Sequence, residues 1–351
     1  MNVVFFPRND YPTNIEVCAH RLGKKMTYTE STDAFPSESQ QIANLAKANG
    51  IKCSVFASQI NSLAENEVLR QYVADGDLWA DLYFCTQNTD PGEVVTQEMF
   101  ENDLNTIVLP FFLQNFGKKP VTLSYANGNI SYKDYAIPYF LGGRQSGVSY
   151  DTDYGVGYGS PSDVAYTKAG YIAKTNSTRI YDSALPNSWN TALQAHIGRI
   201  DACLQSGGWL NNFTHWHDVV NGRYGDHYDW YEEYFDLLKD YKDAGNIYFA
   251  GYGEAVAYLV FRQMITKVVM YSPIGAESQK LIIRLEALNS LSVDADLLQI
   301  PISVKFSTVD TPLEGQTIRC DNNLISLGNN EYIVEIPYSG YAGTVIEKIN
   351  T

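Results

Sequence analysis

From residue 24 onward, short apolar runs alternate with stretches whose apolar positions recur every three or four residues. That alternation predicts strands followed by amphipathic helices. "KKMTYTEST" predicts a strand carrying Thr27, Thr29 and Ser31 on one face and Tyr28 and Glu30 on the other. "PSESQQIANLAKANG" predicts a helix, entered at Ser37 with Gln40 at capping-box spacing and left at Gly50. "IKCSVFAS" and "DLWADLYFC" predict strands, with a helix between them in "SLAENEVLRQYVADG" that closes on Gly76. The long helical stretch "TQEMFENDLNTIVLPFFLQNFG" is expected to kink or split at Pro110, which has no N–H to give. "PVTLSYANGN" predicts a strand ending in a turn, and residues 131 to 185, rich in Gly, Tyr, Ser and Asp, predict loops with short strands.

Regular alternation resumes with a helix in "NTALQAHIGRIDACLQSG", a strand in "GWLNNFTHWH", a helix in "YDWYEEYFDLLKDYKDAG" and the segment "NIYFAGYGEAVAYLVFRQ". Alternation of this length predicts a parallel sheet with helices outside, either open or closed as a barrel. In both, ligands bind at the carboxyl ends of the strands. From about residue 266 the pattern changes to short alternating runs broken by Gly, Asn, Asp and Pro, such as "KLIIRLEA", "ISVKFSTV" and "NEYIVEIPYSG". That is the pattern of a small antiparallel β-sandwich. The predicted division is therefore residues 1–265 for the α/β part, with 1–23 a lead-in, and 266–351 for an accessory sandwich.

Composition narrows the function. The 351-residue chain has a formal net charge of -15 and no run of Lys or Arg, which argues against nucleic acid as a partner. Tyr is abundant, at 26 residues, and its flat face and hydroxyl suit sugar rings as well as protein interfaces. Five widely spaced cysteines without a CxxC pair suggest neither a disulfide framework nor a zinc ribbon. The start, "MNVVFFPRNDYP", is too short an apolar run for a signal-peptide core, so a chain not exported by that route, or one whose leader has been removed, is expected. No membrane-spanning run follows.

The densest candidate chemistry is "NNFTHWHDV", with His215, His217 and Asp218. On a strand the two imidazoles share a face, a workable spacing for two metal ligands, and Asp218 adds an oxygen or fixes a tautomer. Catalytic or structural histidines fit the same spacing. Glu30 and Asp33, near the end of the first barrel strand, are candidates for base or metal ligand. Tyr228, Tyr231, Tyr234 and Phe235 lie on one helical face and read as packing.

The order of these pieces resembles the NodB-type polysaccharide deacetylases, from about residue 24 to 264. "KKMTYTESTDAFPSESQQIANLAKANGIKCSVFAS" is similar to that family's opening T-F-D-D strand, helix and second strand. "LRQYVADGDLWADLYFC" sits where its histidine-bearing strand belongs, and "VTLSYANGNISYKDYAIPYFLGGRQSG" resembles its R-x-P-Y-G strand. "FTHWHD" matches its late L-x-H-D strand. The resemblance implies a distorted (β/α) barrel that removes acetyl groups from carbohydrate with a divalent metal such as zinc. Within it, the catalytic and metal aspartates fall at Thr29 and Glu30, and the two metal histidines near Leu82 and Thr86. The Arg of the third motif is replaced, at Thr122 or Leu123.

What survives is the late histidine, at His215 or His217, as acid toward the leaving group. Glu30 would be base or ligand; Tyr125, Asn127, Trp216, Tyr28, Asp33 and Trp230 would contact substrate. A rebuilt metal site would use His215, His217, Asp218 and Glu30. The rival expectations are an inactive glycan-binding module and a structural or assembly protein.

Overall fold

The computed structural model describes residues 13–32, 39–58, 66–84, 86, 94–125, 129, 131–145, 172–176, 189–213, 215–216, 228–271, 280–287, 297, 300–307, 316–320, 324–337 and 344–350. Two compact units result: Lys25–Ala257 with Ser292–Leu297, and Met1–Lys24 with Tyr258–Leu291 and Leu298–Thr351.

The larger unit is a parallel sheet wrapped by helices. Its strands are β2 (Met26–Thr32), β3 (Cys53–Ala57), β4 (Leu78–Phe84), β5 (Thr122–Tyr125), β6 (Gly142–Gln145), β7 (Ile172–Asn176), β8 (Trp209–Phe213) and β9 (Ile247–Phe249). They run in the order β7-β6-β5-β4-β3-β2-β8. On the side of β2 away from β8, β9 pairs with residues Met26 to Tyr28 and β3 with Glu30 to Thr32, so β9 fits below β3. All of these pairings are parallel.

The sheet curls on itself. Arg144 of β6 stacks 3.9 Å from the Phe213 ring of β8, five places away in the strand order. Only a sheet bent toward a barrel brings those two strands face to face.

The helices are α1 (Ser39–Ala48), α2 (Glu67–Asp75), α3 (Gln97–Asp103), α4 (Leu109–Phe116), α5 (Lys133–Ala136), α6 (Trp189–Ser206), α7 (Tyr228–Asp243) and α8 (Tyr252–Met264). Helix α2 is entered through Asn66, whose side chain accepts from the Leu69 N–H, and left through Gly76 in the left-handed region. Between α3 and α4 the path does not break: Leu104–Val108 forms a π turn, and Pro110 occupies the first turn of α4. The wider turn just before the proline accommodates its ring and its missing donor, so the expected split becomes a bulge.

Strands β2, β3, β5, β8 and β9 are buried on both faces, as parallel strands under helices must be. The helix side is apolar, with Val55, Leu82 and Leu123 packed against Ile42, Leu69, Phe100 and Phe235. The interior side carries Thr29, Ser54, Asp81, Ser124 and Asn211, all buried. Two of them bond each other: Thr29 Oγ1 donates to Asn211 Oδ1 at 2.9 Å, and it accepts from Trp209 Nε1 at 3.0 Å.

The second unit is an antiparallel sandwich of two four-stranded sheets. Besides β1 (Thr13–Val17), its strands are β10 (Ile265–Tyr271), β11 (Lys280–Ala287), β12 (Ile302–Ser307), β13 (Gln316–Cys320), β14 (Leu324–Gly328), β15 (Glu331–Ile336) and β16 (Thr344–Asn350). The sheet orders are β1-β12-β15-β14 and β10-β11-β16-β13. The lead-in thus supplies a strand to the sandwich, Glu16 pairing with Lys305 and Val17 with Val304. In that sheet Val304 opposes Val334 and Phe306 opposes Tyr332, their rings stacked with centroids 5.6 Å apart. Arg21 adds a bidentate pair with Glu335, at 3.0 and 2.8 Å.

Candidate functional site at the carboxyl end of the barrel

Strand β8 ends at Phe213, two residues before His215. The strand expected to run through His217 therefore stops short of His215, and His217 lies outside the described residues. His215 is half-buried just beyond the strand end, its ring edge-on to Phe213 with centroids 5.0 Å apart. The Phe213 ring also receives the Arg144 guanidinium, which lies 4.6 Å from the Phe56 ring as well. Arg144 Nη2 donates to Ser124 Oγ at 2.7 Å. A permanent cation is thus held, fully buried, beneath the strand-end histidine.

On the opposite face of β2 lies a separate polar network. Glu30 is fully buried; its carboxylate accepts from Tyr234 Oη at 2.9 Å, from Trp216 Nε1 at 3.4 Å and from Asn212 Nδ2. The Tyr234 hydroxyl bonds that of Tyr28, which lies 2.8 Å from His196 Nε2. All donors run one way if His196 carries its proton on Nε2: imidazole to Tyr28, Tyr28 to Tyr234, Tyr234 to carboxylate. His196 Nδ1 has no partner among the described residues, which suits a lone pair better than a buried N–H. Burial pushes Glu30 up to about 7, against the pull of its three donors and of Arg144. Burial, with Arg199 adding to it, pushes His196 down to about 3, so the imidazole is neutral.

Of the residues singled out in the sequence, Tyr28, Glu30 and Trp216 meet in or beside this helix-side network. Tyr125 is fully buried on the same side against Tyr132, and Trp230 packs partly buried against the same core. Asp33, Asn127, His217 and Asp218 lie outside the described residues.

At the metal-ligand positions that the resemblance implies, Glu30 is held by three donors on the helix side, Leu82 is an apolar side chain fully buried in the helix-side core, and Thr86 is a buried hydroxyl. Thr29, at the position of the catalytic aspartate, bonds Asn211 and Trp209. Among the described residues, no three His, Cys, Asp or Glu side chains gather as a metal group.

A second buried charge cluster sits toward the amino ends of the strands. Asp81 accepts backbone N–H bonds from Gly253 at 2.8 Å and Thr122 at 3.1 Å. Burial raises its carboxyl to about 6, while Lys118 and Thr122 oppose that rise. The Lys118 ammonium lies 3.9 Å over the Trp79 ring, and Lys52 pairs with Glu254 at 3.1 Å.

Sequence reasoning missed Arg144 and Asp81. Arg144 follows two glycines in "LGGRQ"; Gly143 leaves room for Tyr125, since a Cβ there would lie 2.6 Å from its ring. Asp81 is matched by Gly253 in "GYGEA", where a Cβ would lie 2.5 Å from the carboxylate. Closely spaced glycines, in strand β6 and at the start of α8, are the available signal.

No family model and no curated protein matches this sequence. Solved structures share part of its chain path. A protein from Mycobacterium smegmatis assigned as a polysaccharide deacetylase has 8% identity and a TM-score of 0.47, covering 75% of this chain and 100% of its own. The CE4 domain of a multidomain xylanase from the hindgut metagenome of Trinervitermes trinervoides has 13% identity and a TM-score of 0.39, covering 66% and 89%. A Streptococcus mutans CE4 esterase has 11% identity and a TM-score of 0.41, covering 65% and 85%.

Proposed function

We propose that this protein is a divergent, deacetylase-like barrel that recognises carbohydrate at the carboxyl ends of its strands, around His215. The observation that carries this reading is the half-buried imidazole of His215 on Phe213, above the buried guanidinium of Arg144. An imidazole that can donate or accept suits hydroxyl-rich, amide-bearing rings. The motif order from residue 24 to 264, similar to that of carbohydrate deacetylases, supports the same ligand class.

The second reading is hydrolysis of an acetyl group, with His215 or His217 protonating the leaving oxygen or nitrogen. Glu30 is a poor base for it, being turned to the helix side with its oxygens occupied. Calorimetric titration with acetylated xylan fragments and N-acetylglucosamine oligomers tests recognition directly. Binding that weakens at least tenfold in His215→Ala, at unchanged thermal midpoint, is expected; no binding to any of these sugars refutes the reading. Acetate release, with metal content measured in the parent protein, His215→Ala and His217→Ala, decides for or against hydrolysis.

A further inference from the structure

We propose that Glu30 and Thr32, acting through Trp216, are positioning residues that fix the strand-exit segment carrying His215. This rests on the reading of His215 as the recognition residue. Trp216 follows His215 directly and is fully buried beyond the end of β8. Its backbone N–H donates to Thr32 Oγ1 at 3.4 Å and its indole Nε1 to Glu30 Oε1 at 3.4 Å. Both acceptors belong to the carboxyl half of β2, the strand to which β8 is paired through Ser31 and Phe213. The segment is therefore pinned at both ends, by Phe213 on the interior side and by Trp216 on the helix side, with His215 between them.

Glu30 is itself held by Tyr234 of α7 and Asn212 of β8, so the acceptor offered to Trp216 has a fixed direction. A carboxylate at a position where the resembling family binds metal serves here as a structural acceptor. The alternation of the strand explains how: Glu30 shares its face with Tyr28, the face covered by α6 and α7, and Thr29 takes the interior.

The test uses the full chain in three variants. Trp216→Phe keeps the ring and removes the donor, Glu30→Ala removes the acceptor, and Glu30→Gln keeps an acceptor oxygen. Imidazole resonances of His215, identified by their loss in His215→Ala, are expected to shift and broaden in Trp216→Phe and Glu30→Ala. They should return toward the parent position in Glu30→Gln. Affinity for an N-acetylglucosamine tetramer should fall three- to tenfold in Trp216→Phe and recover in Glu30→Gln. Unchanged His215 resonances in a folded Trp216→Phe protein overturn the proposal. Because the resonances need no ligand, they test the latch even if the parent protein binds no sugar. Should Glu30→Ala fail to fold, Trp216→Phe decides alone.

Discussion

Replacing Glu30 by Gln should remove a pH-dependent destabilisation of the barrel. In the folded chain Glu30 keeps its proton up to about 7, whereas the unfolded chain releases it at 4.5. Between those values the folded state binds more protons than the unfolded one, so stability falls as pH rises, then levels off above pH 7. The interval corresponds to about 3 kcal/mol. His196 acts in the opposite sense: its folded value is about 3 against 6.5 unfolded, so its contribution is present above 6.5 and is lost as pH falls. The wild-type profile therefore mixes two opposed slopes. The difference between wild type and Glu30→Gln isolates one of them.

The amide cannot ionise, yet it retains an oxygen for Tyr234 or Trp216. Its new NH2 is satisfied if Asn212 turns its own amide over. The two proteins should agree within about 1 kcal/mol at pH 5, and Glu30→Gln should be more stable by about 3 kcal/mol at pH 8. The assay is urea unfolding from pH 5 to 8, followed by tryptophan emission. All five tryptophans, at 79, 189, 209, 216 and 230, fall within Lys25–Ala257, so the signal reports that unit rather than the sandwich. A wild-type-minus-variant difference that does not change with pH refutes the reasoning.

Three further substitutions probe the same framework. Gly253→Ala forces a methyl to 2.5 Å from the Asp81 carboxylate and should cost about 1–3 kcal/mol, read as a lowered urea midpoint. Arg144→Lys keeps the charge but loses the planar stack on Phe56 and Phe213; a loss of about 2 kcal/mol is expected, and a neutral result would show that stacking is not what holds the cation. Tyr234→Phe removes the hydroxyl between Tyr28 and Glu30 and should cost about 1–3 kcal/mol while raising the Glu30 value further, seen as a titration displaced to higher pH.

Much of the fold was legible in local pattern. Tyr28 and Glu30 were expected opposite Thr29, and they are; the helix between Asn66 and Gly76 is set by its own caps. The aromatic spacing along α7 predicts packing, and Tyr231, Tyr234 and Phe235 are fully buried. Packing is not all that Tyr234 does, because its hydroxyl bridges Tyr28 and Glu30, and side-chain spacing says nothing about what a buried hydroxyl meets. The pairing of β1 with β12 was out of reach for another reason. It joins Glu16 to Lys305 across nearly the whole chain, and no local pattern encodes a partner at that distance.

The candidate site was harder to read because both faces of a parallel strand are buried. Alternation assigns residues to two faces but does not say which one looks into the barrel. For β2 that choice is made by α6 and α7, whose His196 and Tyr234 draw Tyr28 and Glu30 to the helix side. Motif matching alone puts Glu30 among metal ligands, since it compares positions and not faces. Arg144 shows the converse: nothing in "LGGRQ" announces a barrel-interior cation, because its two aromatic partners come from β3 and β8. Which face each of these charges takes is therefore a tertiary property. The acid that motif order places in a metal site faces the helices, and the buried ion held against Phe213 is a guanidinium.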